Sequence, residues 1–116
     1  MIGPFKSIFK KIFGTANDRE VRRYTKIVET INQIDQSLND LSDDDLRAKT
    51  AAWKQELASI EDKSQLASRL EEIMPEAFAV VKQACRRLCG SDVIVRGHPL
   101  RWEMVPFDVQ LIGGMA

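Results

Sequence analysis

The chain is poor in the residues that most often carry chemistry: it has one histidine and two cysteines among 116 residues. Two cysteines are too few for a disulfide scaffold, and nothing suggests secretion. With a single histidine, Ser–His–Asp catalysis would have to be built wholly around His98, in a turn-forming Gly97-His98-Pro99, and no nucleophile–base pair accompanies it. Neither sign of charge is in excess: 17 basic side chains face 17 acidic ones, so composition alone makes no case for nucleic acid. No apolar run approaches the length that spans a bilayer. A signal peptide is not expected either, because Lys6, Lys10 and Lys11 interrupt what would be its apolar region. Internal repeats and low-complexity stretches are missing as well. The length suffices for one small domain with one core.

Charge is unevenly distributed. Residues 1–26 carry seven basic and two acidic side chains, while residues 35–76 carry eleven acidic and five basic. A basic front suits an anionic partner, although solvated helix faces explain charge runs equally well. Within that front, Phe5, Ile8, Phe9, Ile12 and Phe13 follow the spacing of one helix face, with Lys6, Lys10 and Lys11 mostly off it. Pro4 suits a first helical turn and Gly14 a helix end. Such a short helix gains structure only when its apolar face is buried. An anionic bilayer surface would attract the lysines at about 1 kcal/mol each and accept the apolar face. The plain alternative is a helix packed on its own protein.

Further along, Asn17 or Asp18 is expected to cap a long helix whose apolar stripe is Val21, Tyr24, Val28, Ile31, Ile34, Leu38 and Leu41. Ser42 is expected to cap the next helix, with Asp43, Asp44 and Asp45 at its positive dipole end rather than in a metal site. That helix should run to about Ser59, with Leu46, Trp53 and Leu57 inward. Ser64 should cap a short helix ending near Met74, and Pro75 should start a new, well-buried helix reaching Cys89. Gly90 suits the position just past its end. Cys85, Cys89 and His98 fall short of the four ligands of a structural zinc. Arg19, Arg22 and Arg23 cluster without an aromatic platform, so nucleic-acid binding is not expected. Residues 91–105 read as a β-hairpin, from the strand-forming Val93-Ile94-Val95 and the alternation of Leu100, Trp102 and Met104. A helix should begin near Phe107.

Four stretches, in order, carry a family resemblance. They are Phe13-Gly14 with Asn17-Asp18-Arg19 and Arg22-Arg23; Leu41-Ser42-Asp43-Asp44-Asp45-Leu46-Arg47-Ala48-Lys49-Thr50; Met74-Pro75-Glu76-Ala77-Phe78-Ala79-Val80-Val81 with Arg86-Arg87; and Phe107-Asp108-Val109-Gln110-Leu111-Ile112-Gly113-Gly114-Met115. Together they resemble the N-terminal region of the SecA preprotein-translocating ATPases. The resemblance implies a mainly α fold: N-terminal helices plus a small β-hairpin, opening a RecA-like, DEAD-like α/β nucleotide-binding domain. It divides the chain into a membrane- or channel-docking helix (1–14), a helical region (15–90), a hairpin insert (91–106) and an adenine-recognition segment (107–116). The uncharged last six residues, without cap or polar tail, suggest the front of a larger protein cut inside a structured element.

Function follows from the same resemblance. The family drives unfolded preproteins through the SecY-type channel of the bacterial plasma membrane with ATP, working in the cytoplasm and at the inner membrane face. Gln110 matches the glutamine that recognises the adenine of ATP, and Phe107 the bulky position beside the base. The residue type suits the task, since a carboxamide sets an acceptor beside a donor, and adenine offers N6–H beside N7. The first helix, Phe5 to Phe13 with Lys6, Lys10 and Lys11, would dock on anionic phospholipid or the channel. No G-x-x-x-x-G-K-[ST] phosphate loop occurs in these residues, so the chain alone is expected to be inactive, with Mg²⁺ bound by residues beyond it. The family's zinc-binding cysteines belong to a far C-terminal tail, and no zinc is expected here. Homodimerisation stays open, as does a different class of function: a small helical coiled-coil adaptor using the Val21–Leu41 stripe, with no nucleotide role.

Overall fold

The computed structural model describes residues 16–116; the expected docking helix of residues 4–13 lies outside them. Helix α1 runs Ala16–Ser37 and is continued by a 3₁₀ turn, Leu38–Asp40. Helix α2 (Asp43–Ala58) and helix α3 (Lys63–Leu88) follow, then strands β1 (Asp92–Val95) and β2 (His98–Arg101), and helix α4 (Asp108–Met115). The described fold is thus mainly α with one small antiparallel hairpin.

The helical spacing of apolar residues sets the core. Val28, Ile31 and Leu38 from α1 and its 3₁₀ extension meet Leu46 of α2, Ala79 and Val80 of α3 and Leu111 of α4. Ile31 and Ala79 are completely buried. Of that stripe Val28, Ile31 and Leu38 are buried and Ile34 and Leu41 half-buried, whereas Val21 near the start is exposed. Asn17 and Asp18 lie inside α1 rather than at its cap. Arg23 is accompanied by an aromatic ring after all: its guanidinium sits 5.1 Å from the centroid of Tyr24, covering that ring.

Caps fix the next two boundaries. Ser42 Oγ accepts from the Asp45 N–H at 3.1 Å, as expected, and places the three aspartates in the first turn of α2. Asp62, not Ser64, caps α3, its Oδ2 accepting from the Gln65 N–H at 2.9 Å. Pro75 does not restart the chain. It sits inside a single helix of 26 residues. A proline removes the bond to the carbonyl four residues back, here Glu71, an exposed residue where water can replace the lost donor. Burial of Ile73 before Pro75 and of Ala79 and Val80 after it holds both halves on one axis.

Helix α3 ends at Leu88, and Gly90 takes the left-handed conformation (φ 86°) that ends helices readily. The hairpin turn is Arg96–Gly97, both at positive φ (51° and 81°), so His98 and Pro99 belong to β2 rather than to the turn. Pairing runs from Asp92 with Arg101 to Val95 with His98, and regular pairing stops at Arg101, earlier than the alternation to Met104 implies.

Candidate functional site

The candidate site is the start of α4. Phe107 stands at the N-cap position in extended backbone (φ −76°, ψ 159°). Its side chain has no hydrogen-bond acceptor, so it cannot cap the helix as Ser or Asp would. Gln110 supplies the other half of a capping box: its Oε1 accepts from the Phe107 N–H at 2.8 Å. One turn on, Leu111 is buried in the core, with Ile112 and Met115 packed beside it. These anchors turn α4 so that Gln110 faces outward.

There Gln110 lines a pocket of about 280 Å³ with Phe78, Val81, Met104, Pro106 and Leu111. Among the described residues, Gln110 is the only polar side chain of that lining. An apolar slot with one carboxamide at its edge has the chemistry to take a flat, polar-edged ring, whose faces such walls can cover and whose edge an amide can pair with. Phe107 is brought to Gln110 only through its backbone. Phe107 itself, 73% exposed, lines a different, wider groove of about 620 Å³ shared with Lys82, Arg86 and Asp108.

Two features shape the pocket from behind. The hairpin is tied to the end of α3: Gly90 N–H donates to the Trp102 carbonyl at 2.9 Å, and Trp102 N–H to that of Ser91 at 2.8 Å. The Trp102 indole then donates to the Met104 carbonyl at 2.8 Å, holding Met104 at the pocket wall. On the other side, a Cβ on Gly114 would come within 3.1 Å of the Phe78 ring. Glycine there lets α4 approach α3 closely enough for Phe78 to form part of the wall.

A polar network beneath α4 was not foreseen from the sequence. Asn32 Nδ2 donates to Asp108 Oδ1 at 3.1 Å, and Lys82 Nζ donates to Asn32 Oδ1 at 2.5 Å. Asp35, 3% exposed, accepts from Arg86 at 2.6 Å, and Gln83, equally buried, reaches Asn39. Arg87 donates to the Leu38 and Leu41 carbonyls at 2.8 and 2.6 Å and to Asp43 at 2.8 Å, closing the end of the 3₁₀ turn. One signal was available. Asp35 falls four residues after Ile31 and three before Leu38, in the buried stripe, where a carboxylate needs a partner. Among the described residues no buried side-chain polar atom lacks a partner.

The remaining candidates are simpler. Cys85 is half-buried and Cys89 exposed, both as free thiols. Burial, with a smaller contribution from Cys89, pushes the Cys85 thiol above its ordinary range. Among the described residues there is no group of three or more His, Cys, Asp or Glu placed to hold a metal ion, and no helix long and apolar enough to cross a membrane.

Comparison with known proteins gives the geometry a family. The family model of the SecA DEAD-like domain matches residues 9–116. The protein translocase subunit SecA of Chlamydia muridarum is 41% identical over 92% of this chain, which covers 10% of that relative. That of Prosthecochloris aestuarii is 38% identical over 93% of the chain and 14% of the relative, and that of Chlamydia pneumoniae 43% identical over 92% and 10%. The chain thus spans about a tenth of the length of the curated relatives it matches. No solved structure matches it significantly. The helices, hairpin and short α4 fit the opening part of a RecA-like α/β nucleotide-binding domain. With most of its length matched by that family model and by relatives about 40% identical, the chain belongs to the SecA family, in its DEAD-like domain.

Proposed function

We propose that this chain is the N-terminal part of an ATP-driven motor that pushes preproteins through a SecY-type channel across the bacterial plasma membrane, and that Gln110 recognises the adenine of ATP. The observation that carries the adenine role is a lone carboxamide at the edge of an otherwise apolar pocket. Oε1 has a second lone pair for the exocyclic N6–H, and Nε2 is a donor for N7. Guanine sets O6 against Oε1, two acceptors facing each other, and is disfavoured. Phe78, Val81, Met104 and Pro106 would bury the faces of the base, while the exposed Phe107 contributes less, because it lines the neighbouring groove and not this pocket.

Triphosphate and Mg²⁺ would be held by residues outside this chain, which contains no phosphate loop. The 116 residues alone are therefore expected not to hydrolyse ATP. In the entire motor, the segment from Phe5 to Phe13, with Lys6, Lys10 and Lys11, would hold the protein at the inner face of the membrane through anionic phospholipid and the channel. The test of the adenine role is equilibrium nucleotide binding by the entire protein carrying Gln110→Ala. Loss of two hydrogen bonds to the base weakens ATP binding by about tenfold or more and removes the preference over GTP. ATP affinity and GTP discrimination both unchanged would sink the assignment.

A further inference from the structure

We infer that the backbone amide of Phe107 is a positioning group for base readout, because it selects one of the two flip states of the Gln110 carboxamide. This deepens the adenine assignment above and rests on it.

A glutamine amide is nearly symmetric in shape. Half a turn about its last torsion exchanges acceptor and donor, and that torsion is soft. An unrestrained surface glutamine therefore presents both arrangements, and a purine must choose one on binding. Gln110 is exposed yet restrained: the Phe107 N–H donates to Oε1 at 2.8 Å. In the flipped state Nε2 would face that N–H, donor against donor, and the N-cap amide would lose its partner.

The restraint has a directional consequence. Oε1 is held toward the start of α4, and Nε2 points away from it. A bound adenine then places its exocyclic amine on the Phe107 side and N7 on the Nε2 side. A guanine in the same pose meets Oε1 with O6, and turning the amide over only sets Oε1 against N7; the flipped amide pairs fully only with the O6/N1–H edge of a shifted guanine, and it is that pairing which the capping bond opposes. Among the described residues no other side chain of the pocket competes, because the remaining walls they form are apolar. The N-cap bond thus makes a helix-terminal contact part of nucleotide discrimination.

Three variants of the entire protein separate the roles. Phe107→Pro deletes the amide hydrogen, and the native φ of −76° lies within proline's range. Phe107→Ala deletes the ring and keeps the hydrogen. Gln110→Ala deletes the reader. The readouts are the ratio of GTP to ATP dissociation constants and the hydrogen-exchange rate of the residue 107 amide. We expect Phe107→Pro to lower that ratio about tenfold below Phe107→Ala, and Gln110→Ala to abolish the preference and speed exchange at 107. An ester linkage in place of the amide at 107, ring retained, gives the same fall, and it decides the matter if the consecutive prolines disturb folding by circular dichroism. Equal ratios for Phe107→Pro and Phe107→Ala, or exchange at 107 indifferent to Gln110→Ala, overturn the positioning role. If the preference nevertheless disappears in Gln110→Ala, the adenine role stands without it. A preference that survives Gln110→Ala overturns both.

Discussion

At the scale of single residues, burial decides which member of a pair matters. The Asp35 side chain is 4% exposed and that of its partner Arg86 49%. Deleting the arginine leaves a buried carboxylate with only the neutral Gln83 amide beside it, whereas deleting the aspartate returns a guanidinium to water. Arg86→Ala is therefore expected to destabilise by about 3 kcal/mol and Asp35→Ala by about 1–2 kcal/mol, as read by urea unfolding; the reverse order would mean that Asp35 is solvated. The two glycines of α4 differ in the same way. Among the described residues a Cβ on Gly113 meets nothing within 4 Å, while one on Gly114 presses on Phe78. Gly113→Ala should stabilise by about 0.5–1 kcal/mol through the unfolded chain. Gly114→Ala should gain less or lose stability, because the Phe78 ring must shift. Equal gains would show that α4 and α3 are not in close contact. The sequence supplied both glycines as part of a family stretch, but their inequality depends on which one faces α3.

At the scale of elements, local chemistry was legible at some boundaries and not at others, Asp62 rather than Ser64 capping α3. Ser42 caps α2 and Gly90 ends α3 because each needs only its neighbours. Pro75 reads as a break in the sequence, yet the helix runs through it because proline's local penalty is outweighed by packing on both sides. The hairpin was legible as strand-forming residues, but its turn was not: Arg96 at φ 51° is an uncommon choice for a position that favours Asn or Gly. Between α2 and α3, Arg69 bridges Glu56 at 2.5 Å and Glu72 at 2.9 Å. The hydrogen bond from Arg69, aided by its charge and opposed by desolvation, holds the Glu56 carboxyl below the usual carboxylate range. A folded-state pKa below the unfolded one contributes stability above the unfolded value, and loses it as pH falls through the folded value. Glu56→Gln should therefore lower the thermal midpoint at neutral pH and low salt. The difference should vanish in acid below the carboxylate range, and shrink near 1 M salt, because the pair is exposed. A difference that persists in acid would assign the effect to packing instead of charge.

At the scale of the whole molecule, the described residues place a basic helix start, an acidic middle and an apolar pocket on one framework. The proposed membrane role belongs to this scale, since it depends on the combined charge and apolar surface of residues 5–13. Changing Lys6, Lys10 and Lys11 together to Glu in the entire protein should abolish most flotation with anionic liposomes. Unchanged flotation would leave the segment as a helix packed on its own protein.

The order of the elements, the Ser42 cap and the family stretches were written in the sequence, because helical period, turn chemistry and motif spacing act between residues close along the chain. Tertiary packing decided the rest. It kept α3 continuous through Pro75, joined Asp35 to Arg86 across 51 positions, and set Gln110 at the mouth of an apolar slot built from α3, α4 and the segment after the hairpin. A periodic pattern names the face that a helix buries, but only the meeting of those faces fixes which polar groups are stranded, paired or left open to a ligand.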